Sequence, residues 1–328
     1  MKRRTICGIG LGVGALLAIP AALRLSPWPG ALLIKQLFNH GDAQTLARLA
    51  RHVPAGIRQQ RDLAYGPDPD ERLDLYLPAA AGHPLPTLVW VHGGGWVAGS
   101  RQAVSHWLQI VASAGHACVA VGYSTSRPDA RYPTPLQQVN RALGHLQRHA
   151  GALGLDLQRL VLGGSSAGAQ ISAQLALLGS SPGYARRVGI VPDSLLTRLR
   201  GLVLLSGAFD LAGVGRNWFV DSLLWAYTGK RDFRTDAQLQ LMAITPNVSA
   251  RFPPCYLTSG NADPLLPQAL ALDQRLRTLG VEVDSLFFAA DHRPPLLHEY
   301  QFNLDSAEGQ LSQLSQQRLL AFLARVCA

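Results

Sequence analysis

The sequence predicts an α/β fold with a mostly parallel central sheet and helices on both faces. Apolar runs at residues 87–91 and 118–123 have the length and composition of buried strands. Between such runs lie segments with helical periodicity, of which residues 133–149 are the clearest. Strands that alternate with helices form a parallel sheet, which those helices cover. The chain has 328 residues, of which 48% are hydrophobic, and this suits one large domain.

A serine between two glycines follows a third predicted strand, which begins near Arg159. The segment reads Gly164-Ser165-Ser166-Ala167-Gly168, and residues 167–178 have the periodicity of a helix. A strand, a glycine-flanked serine and a helix are the context of a nucleophile elbow, whose strained turn presents the serine hydroxyl above the sheet. The helix N-terminus favours developing negative charge there. We therefore predict that Ser166 is a nucleophile and that the side chain of Ser165 points away from the site.

Three consecutive glycines follow His92, directly after the strand at residues 87–91. Backbone N–H groups in such a loop can stabilise the negatively charged oxygen of a tetrahedral intermediate, and the residue after the nucleophile supplies a further donor. A phosphate-binding loop is the alternative, but it requires a following Lys and Ser or Thr, which residues 96–98 lack. The predicted oxyanion hole consists of four residues: Gly93, Gly94, Gly95 and Ala167.

Five segments carry a resemblance to esterases with the α/β-hydrolase fold. They are residues 73–78, 92–100, 164–168, 205–211 and 260–263. The chain resembles the hormone-sensitive-lipase-like and carboxylesterase families over about residues 60–325. It departs from them at Ser165, where relatives usually have Asp, and at Ala169, where they usually have Gly. The resemblance implies an α/β-hydrolase fold with a small cap and the hydrolysis of carboxylic esters.

The acid of a Ser-His-Asp triad is expected after the serine in the chain and before the histidine. Residues 254–260 form a predicted strand and turn, and Asp263 lies just beyond them. Open α/β sheets place their functional residues at such strand ends. Asp263 could also cap the helix that follows, which is compatible with a role as the acid. Asp210 is the alternative acid, although in relatives its position belongs to a loop near the pocket.

Two histidines follow the last predicted strand, at residues 283–288. His292 lies closer to the strand, at a spacing typical of hormone-sensitive-lipase relatives, but residues 293–295 continue as extended chain. His298 begins a segment that resembles the catalytic-histidine segment of some bacterial esterases, and a C-terminal helix is predicted from about Ser306. We favour His298 as the general base and keep His292 as the alternative.

These residues together predict a serine carboxylic-ester hydrolase with a small-molecule ester as substrate. The resemblance to esterases, with no long apolar tunnel evident in the sequence, implies a preference for short acyl chains. Ser166 would attack the acyl carbon, His298 would accept its proton, and Asp263 would orient the imidazole. The same residues could cleave peptide or amide bonds or transfer the acyl group to an alcohol. A membrane-anchored binding protein with an inactive hydrolase fold is a further alternative, but it would not need the serine, the acid, the histidine and the glycine loop together.

No metal and no organic cofactor are expected. The other histidines do not pair with Cys or carboxylates at metal-ligand spacing, and no dinucleotide fingerprint follows the first strands. The net charge is +9, but the arginines are spread along the chain, so nucleic-acid binding gains little support. Cys118 and Cys255 fall in predicted strands, and no disulfide framework is indicated.

Residues 1–30 predict a signal peptide or an N-terminal membrane anchor. The basic residues 2–4 precede an uncharged apolar run at residues 6–23, which is the pattern of an export signal and is nearly long enough to span a bilayer as a helix. The hydrolase domain is therefore assigned to residues 31–328. It is expected in the periplasm or anchored at the bacterial inner membrane.

Two segments of this domain lie outside the predicted sheet and its covering helices. Residues 32–56 have a helical pattern, and residues 212–247 are rich in aromatic and apolar side chains. We predict that both are cap elements over the pocket. The alternative is that they simply pack on the core.

Overall fold

An eight-stranded sheet forms the centre of the part of the chain that the computed structural model describes. The described residues are 24–210, 213–215, 217–305 and 309–328. Across the sheet the strands follow the order β1-β2-β4-β3-β5-β6-β7-β8. Their bounds are Ile57–Ala64 (β1), Arg72–Pro78 (β2), Leu85–Val91 (β3), Ala117–Val121 (β4), Leu155–Ser165 (β5), Gly201–Leu205 (β6), Cys255–Thr258 (β7) and Val283–Leu286 (β8).

The strands β3 to β8 run parallel to one another, and β1 and β2 add an antiparallel edge. Successive side chains of a strand point to opposite faces of a sheet, so alternate residues of an apolar run pack into two separate cores. Val89 and Leu162 belong to the cluster on one face, and Leu88 and Val161 to the cluster on the other. The central strands are therefore buried on both sides, as their continuous apolar sequence predicts.

Helices cover both faces of the sheet, which confirms the predicted fold class. Their bounds are Trp28–Leu49 (α1), Ser105–Ala112 (α2), Thr134–Leu153 (α3), Ala167–Ser180 (α4), Pro182–Val188 (α5), Trp218–Thr228 (α6), Leu266–Thr278 (α7) and Gly309–Val326 (α8). Side chains of α2 and α8 join one apolar cluster, whereas those of α3, α4 and α7 join the other. Chain segments between parallel strands must cross a face of the sheet, and α2, α3, α4 and α7 lie in such segments.

The helices α1 and α6 pack against each other beyond these two layers. Ile34 of α1 and Leu223 of α6 share a small apolar cluster with Val97 and Ala98, which lie just after the glycine triplet. The candidate cap segment 212–247 contains α6, and the segment 32–56 contains α1 except for its first four residues. Residues 212 and 216 lie outside the described residues. The two helices are thus in contact with the loop that carries the predicted oxyanion hole.

Several elements begin or end a few residues away from the predicted positions. β5 begins at Leu155 instead of near Arg159, and α3 continues to Leu153, where Gly154 ends it at a left-handed φ of +69°. Ser306 and the apolar run at residues 6–23 lie outside the described residues. Within the described ranges, no helix is both long enough and apolar enough to cross a membrane.

Candidate active site

The predicted functional residues lie after the carboxyl ends of parallel strands. His92 and the glycine triplet follow β3 directly, and Ser166 follows β5. Asp263 lies in the turn after β7, and His298 in the loop after β8. Because parallel strands end at the same edge of the sheet, these residues from distant parts of the sequence meet there.

Ser166 occupies a strained turn between β5 and α4. Its backbone has φ +50° and ψ −119°, which non-glycine residues rarely adopt outside functional sites. Its N–H group donates to the carbonyl of Leu205 at 2.8 Å. A side-chain carbon added to Gly164 would lie 2.4 Å from the carbonyl carbon of Gly168, and one added to Gly168 would lie 2.1 Å from Val91 O. Only glycine therefore fits on either side of this turn.

The imidazole of His298 lies between Ser166 and Asp263. Its Nε2 is 3.0 Å from Ser166 Oγ, and its Nδ1 is 3.0 Å from Asp263 Oδ2. An ionised carboxylate only accepts hydrogen bonds, so Nδ1 carries the proton and Nε2 is free to accept one. Asp263 also accepts from Ser259 Oγ at 2.8 Å and from the N–H group of Leu265 at 2.9 Å. The carboxylate is thereby fixed in place.

The charges in this row of side chains favour an ionised acid and a basic imidazole. Burial raises the pKa of Asp263, but the hydrogen bond and charge of His298 and the two neighbouring donors hold it below its ordinary value. Burial also lowers the pKa of His298. The hydrogen bond to Asp263 and the negative charges of Glu299 and Asp263 outweigh that effect, so the pKa of His298 lies above its ordinary value. A raised pKa makes the imidazole a stronger base.

Two polar side chains that the sequence analysis did not assign hold the loop of His298. Asn261 Oδ1 accepts from the N–H group of Leu296 at 2.8 Å. Ser206 Oγ accepts from the N–H group of Glu299 at 3.2 Å. Both residues lie in segments that carry the family resemblance, but their partners are distant in sequence, so no local pattern assigns these contacts. Both residues position the imidazole by fixing the backbone on either side of it.

The glycine triplet forms a tight loop next to His92. The Nδ1 of His92 donates to the carbonyl of Gly93 at 2.8 Å, and its ring stacks on Tyr123 with the centroids 4.2 Å apart. Burial lowers the pKa of His92 to about 4, so this imidazole is neutral and structural. Within the described ranges, four backbone N–H groups here donate to no protein acceptor: those of Gly93, Gly94, Gly95 and Ala167. They are available to an oxygen of a substrate.

Two candidates were named for the base and two for the acid, and the structure places only one of each at the site. His298, and not His292, lies within hydrogen-bonding distance of Ser166 Oγ. The ring of His292 packs instead against Phe288, with the centroids 5.3 Å apart. Asp210 binds the N–H group of Gly213 at 3.2 Å, whereas Asp263 contacts the imidazole.

Ser165 is buried beneath the glycine loop and is among the residues that border the cavity beside His298. The direction of its side chain relative to Ser166 stays a prediction. A side-chain carbon on Gly93 would lie 3.3 Å from Ser165 Oγ. The sharp turn at Ser166 redirects the chain only after Ser165, which therefore remains beneath the glycine loop.

A cavity of about 410 Å³ opens beside His298, between α1, the glycine loop and the loop of His298. Asp42 of α1 and Glu299 both line it, together with the hydroxyl of Thr45. Burial and the charge of Glu299 raise the pKa of Asp42 to about 6. The wall thus combines two acidic residues with apolar side chains such as Phe38 and Trp107. Among the described residues, no group of His, Cys, Asp and Glu side chains could hold a metal ion.

Comparison with known proteins finds a family with the same class of fold as this chain. It also finds relatives that are named esterases. A family model described as alpha/beta hydrolase fold matches residues 88–292. An esterase from Gibberella moniliformis is 27% identical over 256 residues, which cover 75% of this chain and 79% of that protein. An acetyl esterase from Salmonella agona is 25% identical over 269 residues, which cover 77% of each chain.

Solved structures resemble the whole domain. The crystal structure of esterase B from Lactobacillus rhamnosis has a TM-score of 0.77 at 22% sequence identity, and the match covers 91% of this chain and 96% of that chain. A bacterial heroin esterase has a TM-score of 0.69 at 24% identity and covers 88% of this chain and 90% of that chain. The fold agrees with the family match, which spans more than half of the chain. The predicted class of enzyme is confirmed, and the protein belongs to the alpha/beta hydrolase fold family.

Proposed function

We propose that this protein is a serine esterase in which Ser166, His298 and Asp263 form the catalytic triad. The observation that carries the proposal is the row of two hydrogen bonds, each 3.0 Å long, from Ser166 Oγ through the imidazole to Asp263. Direct proton transfer from the nucleophile to the base requires that the two atoms lie within hydrogen-bonding distance. The esterase names of the relatives support esters as the substrates.

In the acylation step, His298 Nε2 takes the proton of Ser166 as its Oγ attacks the acyl carbon. Asp263 stabilises the imidazolium that forms and stays ionised. The carbonyl oxygen becomes an oxyanion, which the N–H groups of Gly94, Gly95 and Ala167 stabilise, with Gly93 beside them. His298 then passes its proton to the leaving alcohol, and the C–O bond of the ester breaks.

Water releases the acyl group in the second half of the reaction. His298 accepts a proton from the water, which attacks the acyl carbon of the ester on Ser166. The same N–H groups stabilise the second oxyanion. Collapse of this intermediate returns the proton to Ser166 Oγ and frees a carboxylic acid, so the enzyme is restored without a cofactor.

We propose that the acyl groups are short. Asp42 and Glu299 are among the residues that line the cavity beside His298, and a long alkyl chain packed against a carboxylate would remove its water without replacing the hydrogen bonds. The acetyl esterase among the relatives supports the same preference.

Hydrolysis rates across p-nitrophenyl esters of increasing chain length test this function. We expect kcat/KM to be highest for acetate or butyrate and to fall for longer chains. Faster turnover of long-chain emulsions would contradict the short-chain preference. Aminoacyl anilides in the same assay distinguish a peptidase, and product analysis with an added alcohol distinguishes an acyltransferase.

We also propose that the protein is exported and held at the bacterial inner membrane. The basic residues 2–4 and the apolar run at residues 6–23 support this location, because a positive flank stays on the cytoplasmic side while the following domain crosses. The hydrolase domain would then face the periplasm.

A further inference from the structure

Large apolar side chains lie in solvent on three elements around the mouth of the cavity. On α1, Leu32, Leu33 and Leu37 are 61%, 53% and 60% exposed. Leu297, next to His298, is 65% exposed, and Trp218 at the start of α6 is 46% exposed. These five residues are called the apolar rim below.

Two residues of the apolar rim reach the cavity. Leu37 of α1 and Leu297 both line it, together with His298. The helices α1 and α6 are in direct contact, since a side-chain carbon on Gly30 would lie 3.4 Å from the ring of Trp218. The exposed leucines of α1 therefore lie between Trp218 and the cavity beside His298.

The concentration of these side chains is unusual for a surface in contact with water alone. Single exposed leucines are common on soluble proteins, but contiguous apolar patches mark surfaces that bind a partner or a membrane. Among the described residues, ten large apolar side chains are exposed, and six of them belong to α1, α6 or the segment before His298. The patch is therefore concentrated on two neighbouring helices and the loop of His298.

The adjoining chain indicates which partner the rim meets. The apolar run at residues 6–23 is followed directly by Arg24, and α1 begins at Trp28, five residues after the run ends. From Arg24 to Leu49, where α1 ends, the chain carries three basic residues and one acidic residue, Asp42. A surface with leucines, a tryptophan and positive charge complements an anionic lipid bilayer.

We propose that the apolar rim docks onto the surface of an anionic lipid bilayer, with the mouth of the cavity turned toward the lipid. The proposal rests on the membrane location proposed above and goes beyond it, because an anchor alone would leave the domain free to face any direction. Esters that partition into the bilayer would then reach Ser166 directly from the lipid.

Quenching of tryptophan fluorescence by brominated lipid tests the contact. The full chain is placed in vesicles of phosphatidylcholine and phosphatidylglycerol whose acyl chains carry bromine, with unbrominated vesicles as the reference. Residues 1–23 contain no tryptophan, so quenched emission reports on the rest of the chain. We expect brominated lipid to quench a fraction of the tryptophan emission of the wild type. The quenched fraction should be smaller in Trp218→Phe. Equal quenched fractions in the wild type and in Trp218→Phe would overturn the proposal.

Activity supplies a second, independent readout. Leu32→Ser with Leu33→Ser removes two rim leucines that do not line the cavity. We expect hydrolysis of an ester dissolved in the vesicles to fall on the order of tenfold, given the apolar area withdrawn from the lipid. Hydrolysis of a water-soluble ester without vesicles should be unchanged. The matched control is Leu270→Ser with Leu314→Ser, two exposed leucines on α7 and α8.

Other outcomes decide against the lipid. Equal rates for the rim variant and its control on the vesicle ester would overturn the proposal. So would the conversion of a dimer to a monomer by the rim substitutions in the absence of vesicles, because the rim would then bind a second copy of the chain. If the wild type hydrolyses neither ester, the esterase proposal fails, whereas the fluorescence experiment still tests the rim.

Discussion

The carboxylate of Glu299 lies against Gly93, because a side-chain carbon on Gly93 would lie only 2.9 Å from Glu299 Oε1. The residue after the proposed base therefore touches the proposed oxyanion loop. Its N–H group is held by Ser206 Oγ at 3.2 Å, and its φ of +56° is left-handed. The negative charge of Glu299 is among the causes that raise the pKa of His298.

Glu299→Gln should move the acid limb of kcat/KM to lower pH. His298 acts as a base only in its neutral form, and the charge of Glu299 stabilises the protonated form, so removal of that charge lowers the pKa of His298. The enzyme should then become active at a more acidic pH. The pH profile of p-nitrophenyl acetate hydrolysis measures the shift. Glu282→Gln, which alters an exposed carboxylate paired with Arg325, should leave the limb in place.

Ser166→Ala should lower kcat by a factor on the order of 10⁶, with residual activity from the oxyanion donors and binding. Ser165→Ala tests the register of the turn. Ser165 lines the cavity but does not contact His298, so its loss should cost far less. Steady-state kinetics of both proteins with one ester make the comparison. An inactive Ser165→Ala beside an active Ser166→Ala would assign the nucleophile to Ser165.

Gly94→Ala should lower kcat by at least about 10²-fold, the scale of one lost oxyanion donor. Gly94 has φ +105°, and its new side chain would lie 2.3 Å from Ala98 O, so the loop must move. Gly115→Ala is the matched control, since Gly115 has φ +92° but open space around it. Both variants should lose stability through backbone strain, and only Gly94→Ala should lose kcat. An unchanged kcat in folded Gly94→Ala would remove this loop from the mechanism.

His298→Ala should abolish the burst of p-nitrophenol in rapid-mixing experiments with p-nitrophenyl acetate, because Ser166 would lack its base. His292→Ala should keep the burst, since the His292 ring packs against Phe288 and does not reach Ser166. The amplitude of the burst in both variants is the measurement. If His292→Ala loses it and His298→Ala keeps it, the two roles are exchanged.

The full chain should fractionate with bacterial membranes and be accessible to protease from the periplasmic side. A protein shortened to begin at Arg24 should be recovered in the soluble fraction and retain activity on soluble esters, because the proposed triad lies far downstream. A start at Leu32 would remove Ala31, a residue of α1 that is buried in the apolar cluster shared with α6. We expect its loss to destabilise the domain. Recovery of the intact full chain in the cytosolic fraction would contradict the export proposal.

Much of the site follows from local sequence, because its parts are short-range patterns. The strand, glycine-flanked serine and helix around Ser166 fix a turn within about a dozen residues, and the glycine triplet after β3 does the same. Each apolar strand places its following residue at one edge of a parallel sheet. The fold class and the serine could therefore be predicted with the fold unknown.

The histidine could not be chosen in that way. His292 and His298 both follow β8, and the local chain permits either to approach the serine. The choice comes from contacts made by other strand ends, such as Asn261 with Leu296 and Ser206 with Glu299. Such partners are remote in sequence, so no local pattern records them.

The sequence by itself determined the α/β class, the turn at Ser166 and the glycine loop, because backbone propensity and hydrophobic period act over a few residues. The tertiary structure alone decided that Ser165 lines the cavity, that Glu299 touches Gly93, and that α1 and α6 meet beside the entrance. These features depend on how closely packed surfaces from distant segments fit together, and packing is set by the whole fold.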